Sequence, residues 1–197
     1  MANRTDNFNR ANNASSLGTP SDAGSNWVTV AATWGIFSNA AYAPSSGGSA
    51  YLESSLSDCD VQLTVPVVAD GAIAARIVDF TTYEECLYCG IKSDGLRLYE
   101  KTFGGGFSLI GSHTTSGVSN GDTIKVTCNG TAITVYQNGV SRISVTSSLN
   151  TTATKHGLYA FDSTARFDDF SIMALGGGST ASPHYYNMQQ AILTARA

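Results

Sequence analysis

Residues 120–146 read NGDTIKVTCNGTAITVYQNGVSRISVT, with Asn-Gly pairs at 120/121, 129/130 and 138/139. The intervening stretches are short and rich in Ile, Val and Thr. Asn-Gly accepts positive φ at low cost and is the strongest local signal for a hairpin turn. Hairpins in succession make an antiparallel meander, so the chain is expected to be all-β. A two-residue turn at Asn129-Gly130 would set Val126 opposite Ile133 and Ile124 opposite Val135, on one face with Cys128. At the next hairpin, a two-residue turn at Asn138-Gly139 would set Ile133 against Ser144. A three-residue loop with Gly139 as a left-handed bulge residue sets Ile133 against Ile143 and is the preferred reading, because it keeps one face apolar.

The rest of the chain repeats the pattern. Cys59, Val61, Leu63 and Val65 alternate onto one face. Asp70-Gly71 is a turn, and Ala72 to Phe80 reads as a strand with Ile73, Ala75 and Ile77 in phase and Arg76 out of phase. Residues 85–92 and 96–103 flank a hairpin at Ser93-Asp94-Gly95. Further strands follow around Phe107 to Ser112, in HGLYAF and in RFDDFSIMAL. About a dozen short strands and no helix before residue 176 fit an antiparallel two-sheet jelly-roll sandwich over residues 1–175. After Leu175 the composition changes. GGGSTASP reads as a flexible linker, and HYYNMQQAILTARA as a short docking segment that could be helical. Its candidate assembly residues are Tyr185, Tyr186, Met188, Ile192 and Leu193.

Charged residues make up only 13% of the 197-residue chain, and the net charge is −4. With no basic stripe, nucleic acid is not expected as a partner. No apolar run is long enough to span a membrane as a helix, so no membrane partner is expected. The opening MANRTDNFNR lacks the apolar centre of a signal peptide. Cys59, Cys86, Cys89 and Cys128 are expected to be buried free thiols, with one disulfide or a metal site as alternatives. Cys86 and Cys89 have the two-residue spacing of a zinc or redox motif. In the strand-like run CLYCGI, however, positions three apart point to opposite faces.

The segments DNFNRA and LGTPSDAGSNWVTVAATWGIFSNAAY resemble the opening of concanavalin A-like, laminin-G-like jelly-roll domains. The likeness continues in GLRLYEKTFGGGFSLIGS, in the Asn-Gly meander and in HGLYAFDSTARFDDFSI. Such domains occur in bacterial secreted proteins and in tailed-phage virion proteins. The resemblance implies a domain that binds carbohydrate, hydrolyses it or builds structures. The hydrolase branch carries an E-x-D-x-x-E strand, which this chain lacks. Glu84-Glu85 and Asp168-Asp169 are adjacent, so each pair would face both ways on a strand. No enzymatic activity is expected.

The resemblance also implies a calcium ion where the terminal strands meet. Asp6, Asn7, Asp168 and Asp169 belong to those segments and offer hard oxygen ligands. The alternative is a turn cap at Asp6 and solvated strand-end charges at Asp168 and Asp169. For carbohydrate, Arg76, Tyr83, Tyr88 and Tyr99 come from neighbouring strands and could line a concave face. Their alternative is sheet-surface packing. Trp27 and Trp34 read as core. The leading expectation is a non-enzymatic virion structural protein, a phage capsid decoration or tail-appendage subunit assembled in the host cytoplasm. Its partners would be other virion proteins and further copies of itself, with attachment through the C-terminal segment. The alternative is a carbohydrate-binding module or an adhesin for cell-surface glycans. A glycoside hydrolase is the least favoured reading.

Overall fold

A computed structural model describes residues 3–79 and 85–176. Among them are fifteen strands and no helix: β1 (Arg4–Asp6), β2 (Val28–Ala31), β3 (Gly35–Phe37), β4 (Ala40–Tyr42), β5 (Gly48–Glu53), β6 (Cys59–Val67), β7 (Gly71–Asp79), β8 (Glu85–Lys92), β9 (Gly95–Lys101), β10 (Phe107–His113), β11 (Thr123–Asn129), β12 (Ala132–Gln137), β13 (Val140–Thr146), β14 (Lys155–Ala160) and β15 (Arg166–Ala174). They form two antiparallel sheets. The eight-stranded sheet runs β13-β12-β11-β6-β15-β4-β3, with β1 also paired to β15. The seven-stranded sheet runs β10-β9-β8-β7-β14-β5-β2. This is the expected jelly-roll sandwich.

The alternation in β6 is as read: Cys59, Val61, Leu63 and Val65 are buried, and the residues between them are not. They meet Val126, Ile133 and Val135 beside them and Ile73, Leu87, Leu98 and Leu158 from the opposite sheet, in one continuous core. Period-two alternation places every second side chain in that layer. The four cysteines are buried free thiols. Cys86 and Cys89 point to opposite sides of their sheet: Cys89 joins the inter-sheet core and Cys86 a second apolar cluster on the outer face. Burial pushes the Cys89 thiol up to about 12 and the Cys128 thiol up to about 11. Both therefore stay protonated at neutral pH.

The meander forms, but its register differs from expectation. Val126 pairs with Val135 and Cys128 with Ile133, and Asn129↔Ala132 closes the hairpin. The turn is therefore Gly130-Thr131, with Gly130 at φ +53°. The shift is two residues, so every side chain keeps its face. At the second hairpin the loop has two residues, not three. Asn138 and Gly139 both take positive φ, +51° and +77°, which suits a type I′ turn. The bulge lies further along β13. Val135 pairs with Ile143 but Tyr136 pairs with Ser141, leaving Arg142 as the extra residue. Ile143 is buried as expected, because the bulge at Arg142 corrects the phase that the tight turn would have reversed.

Candidate functional site

The outer face of the seven-stranded sheet carries a cluster of aromatic side chains. Its floor is built by β7, β8 and β14, which contribute Ala72, Ala74, Tyr88 and Tyr159. The small alanines of β7 leave room for the large rings of its neighbours. Tyr88 and Tyr99 face each other across β8 and β9. Phe107 on β10 and Phe161 just after β14 complete the group. Ring centroids lie 5.3 Å apart for Tyr88–Phe107, 5.9 Å for Tyr99–Phe107 and 6.0 Å for Phe107–Phe161. These are spacings at which tilted and edge-on ring pairs attract.

A pocket of about 260 Å³ opens here, lined by Asp70, Tyr88, Gly90, Lys92, Tyr99, Phe107 and Phe161. Gly90 lies on the same face of β8 as Tyr88 and leaves the floor open. A Cβ at Gly90 would meet nothing closer than 3.5 Å, so the missing side chain reflects space and not backbone constraint. On the rim, Lys92 Nζ lies 2.8 Å from Asp70 Oδ2. Their placement follows from pairing: Gly71 opposes Ile91, which puts Asp70 and Lys92 side by side at the strand ends. The Asp70 carbonyl accepts a hydrogen bond from the Asp162 backbone N–H, tying that rim to the segment bearing Phe161. On the neighbouring strand, Arg97 donates through both terminal nitrogens to Asp94, at 2.8 and 2.7 Å. Those bonds hold the Asp94 carboxyl below its ordinary range.

Of the residues read as a sugar-binding set, Tyr88 and Tyr99 come together here. Tyr88 is almost wholly buried and forms the floor, while Tyr99 forms the wall. Arg76 does not join them. It takes positive φ (+54°) at a bulge between β7 and β14. Its side chain is fully buried and reaches towards the other sheet, donating to the Gly130 carbonyl at 2.6 Å and to Asp58 at 3.2 Å. The same bulge reverses the phase of β7, so Ile77 joins the outer cluster while Ile73 and Ala75 face the inter-sheet core. Tyr83 lies outside the described residues, as do Tyr185, Tyr186, Met188, Ile192 and Leu193.

Phe107, Phe161, Tyr159, Asp70, Lys92 and Gly90 were not read as site residues. The signal available for Gly90 was its place in CLYCGI, two residues after Tyr88 on the same strand face. Nothing local marked Phe161 or Asp70, which reach the pocket only through the pairing of β14, β7 and β8.

The proposed calcium ligands are neighbours, because β1 pairs with β15 and sets Asp6 opposite Phe170. Asp6 is fully buried, however, and its carboxylate is already engaged. It accepts from both terminal nitrogens of Arg10 at 2.8 and 2.7 Å, from Trp27 Nε1 at 2.7 Å and from the Phe8 backbone N–H. Asn7 Oδ1 accepts from the Asn9 backbone N–H. Burial, with Asp169 and Asp6 nearby, raises the Asp168 carboxyl above its ordinary value. Among the described residues no three acidic, His or Cys side chains converge as a metal site.

No protein-family model matches the chain, and no curated protein matches it. Solved structures do. The chain is similar to the carbohydrate-binding module CBM66 from Bacillus subtilis, with 20% identity over 75% of this chain and 95% of that one and a TM-score of 0.61. It is similar to a Bacillus licheniformis β-glucanase, with 10% identity over 88% of this chain and 98% of that one and a TM-score of 0.56. It is also similar to domain 4 of AbnA, an extracellular arabinanase from Geobacillus stearothermophilus in complex with arabinotriose. There the identity is 14% over 79% of this chain and 86% of that one, with a TM-score of 0.50. These likenesses show the fold, a two-sheet antiparallel jelly-roll sandwich.

Proposed function

We propose that this chain is a non-enzymatic glycan-binding module whose ligand occupies the aromatic pocket of the seven-stranded sheet. The observation that carries the reading is the pocket itself. Sugar rings present apolar C–H faces that stack on aromatic side chains and polar edges that need paired donors and acceptors. Tyr88, Tyr99, Phe107 and Phe161 supply the first, and Asp70 and Lys92 the second. The volume lies just under the roughly 300–1,000 Å³ of drug-sized ligand sites, which suits a single sugar residue. Two of the similar structures, a carbohydrate-binding module and a domain in complex with arabinotriose, support this reading. Hydrolysis would need two carboxylates flanking the scissile bond. Among the described residues lining the pocket Asp70 is the one carboxylate, and it is already paired with Lys92.

The test is binding to an array of plant, microbial and animal glycans. Wild type is expected to retain at least one glycan at millimolar affinity or better. Phe107→Ala and Tyr99→Ala should each weaken binding about tenfold, the equivalent of about 1.4 kcal/mol, with a single cooperative thermal transition retained in both. A blank array, or undiminished binding by both variants, would count against the reading.

The virion reading draws on the linker and the amphipathic segment after Leu175, of which residues 177–197 lie outside the described residues. Its own test is deletion of 176–197: loss of incorporation into particles by a still-folded body supports it, and normal incorporation ends it.

A further inference from the structure

The geometry points to the Asp70–Lys92 ion pair as the polar reader of the pocket, selecting a neutral sugar through two adjacent hydroxyl groups and disfavouring acidic sugars. This rests on the glycan-binding reading and specifies its ligand. The two charges stand at the rim, where the aromatic floor ends. They remain open to a ligand, with 42% of the Lys92 side chain and 38% of the Asp70 side chain exposed. Their 2.8 Å separation places one donor and one acceptor side by side. A pair of adjacent ring hydroxyls is complementary: one oxygen accepts from the Lys92 ammonium, and the other hydroxyl donates to the Asp70 carboxylate. Both bonds are charge-assisted, the stronger class of hydrogen bond. Meanwhile the ring's apolar face is free to stack on the aromatic group.

Charge balance opposes an acidic ligand. The Lys92 charge is matched by Asp70 and the Arg97 charge by Asp94. Lys101 lies towards the other end of β9, where it covers the Phe107 ring at 5.1 Å and donates to the Gly105 carbonyl. A sugar carboxylate at the rim would meet Asp70, and the cation beside it there, Lys92, is already matched. The pair is also a poor candidate for a purely structural role. Half-exposed ion pairs contribute little to stability, and Asp70 serves the fold through its backbone carbonyl.

The test uses the full chain, isotopically labelled, with the backbone amides of Gly90 and Lys92 followed by NMR. The probes are the methyl glycosides of glucose, galactose, mannose, arabinose and fructose, and methyl glucuronide. Wild type should bind at least one neutral glycoside more tightly than the glucuronide. Asp70→Ala and Lys92→Ala should each lower that neutral affinity about tenfold or more. Asp70→Ala, which frees the Lys92 charge, should shift preference towards the glucuronide, and Lys92→Ala should not. Two results overturn the inference while leaving glycan binding intact: tighter glucuronide binding by wild type, or neutral binding unchanged in both variants. A wild-type protein silent to the whole panel overturns this inference; silence on the glycan array as well overturns the glycan-binding reading.

Discussion

Trp27 and Trp34 look alike in the sequence, each within an apolar run, and both are buried. Their surroundings differ. Trp27 Nε1 donates to the buried Asp6 carboxylate, whereas Trp34 Nε1 has no hydrogen-bond partner among the described residues. Trp27→Phe therefore removes a bond to a charge and is expected to cost about 2–3 kcal/mol beyond lost packing. Trp34→Phe loses packing alone, and urea unfolding of the two variants should separate them in that order. His156 gives the matching pH prediction. It is fully buried, its Nδ1 accepts from the Arg76 backbone N–H, and its Nε2–H donates to the Leu56 carbonyl. Burial lowers its pKa to about 4 from 6.5. The unfolded chain thus binds a proton below pH 6.5 that the folded chain takes up only near pH 4. Stability should be level above pH 6.5 and fall by up to about 3 kcal/mol as pH drops from 6.5 to 4. His156→Gln should flatten that limb; an unchanged slope would remove His156 as its source.

At the scale of elements, the meander shows what local sequence can and cannot decide. Two of the three Asn-Gly pairs located hairpins, since few other residues tolerate positive φ cheaply, whereas Asn120-Gly121 lies between strands of different sheets. They did not determine the register, because a two-residue shift leaves each side chain on its own face and the local pattern unchanged. The true register sets Gly130 where its N–H donates to Asp58 and its carbonyl accepts from Arg76, both distant in sequence. The bulge at Arg142 has the same character. Without it a two-residue turn would place Arg142 opposite Val135 on the core face, so the extra residue spares the core a charge. Gly139→Ala is expected to cost about 1–2 kcal/mol, the strain of a Cβ in the left-handed region. Gly139 has open space around its Cβ position, so the loss measures backbone strain and not a clash, and chemical denaturation should show it.

At the scale of the whole molecule, one inter-sheet core joins both sheets, and β15 ties the N-terminal β1 to β6 and β4. Neither sheet can lose its inner face alone, so unfolding should be all-or-none. Calorimetric and van't Hoff enthalpies should agree for the chain ending at residue 176; two resolved transitions would show separable sheets. The sequence by itself determined the all-β class, the alternating core positions of β6, the hairpin sites and the opposed faces of Cys86 and Cys89. These follow from period-two geometry and turn chemistry, which act over a few residues. It also marked Tyr88 and Tyr99 as neighbours, because adjacent strands of a hairpin pair predictably. Only the tertiary structure decided that Arg76 turns inward at a bulge, that Asp6 is engaged by Arg10 and Trp27, and that Asp70, Phe107 and Phe161 meet over Gly90. Those outcomes depend on which non-adjacent strands pair and in what register. That choice is governed by burial across the whole sandwich, and no short stretch of the chain encodes it.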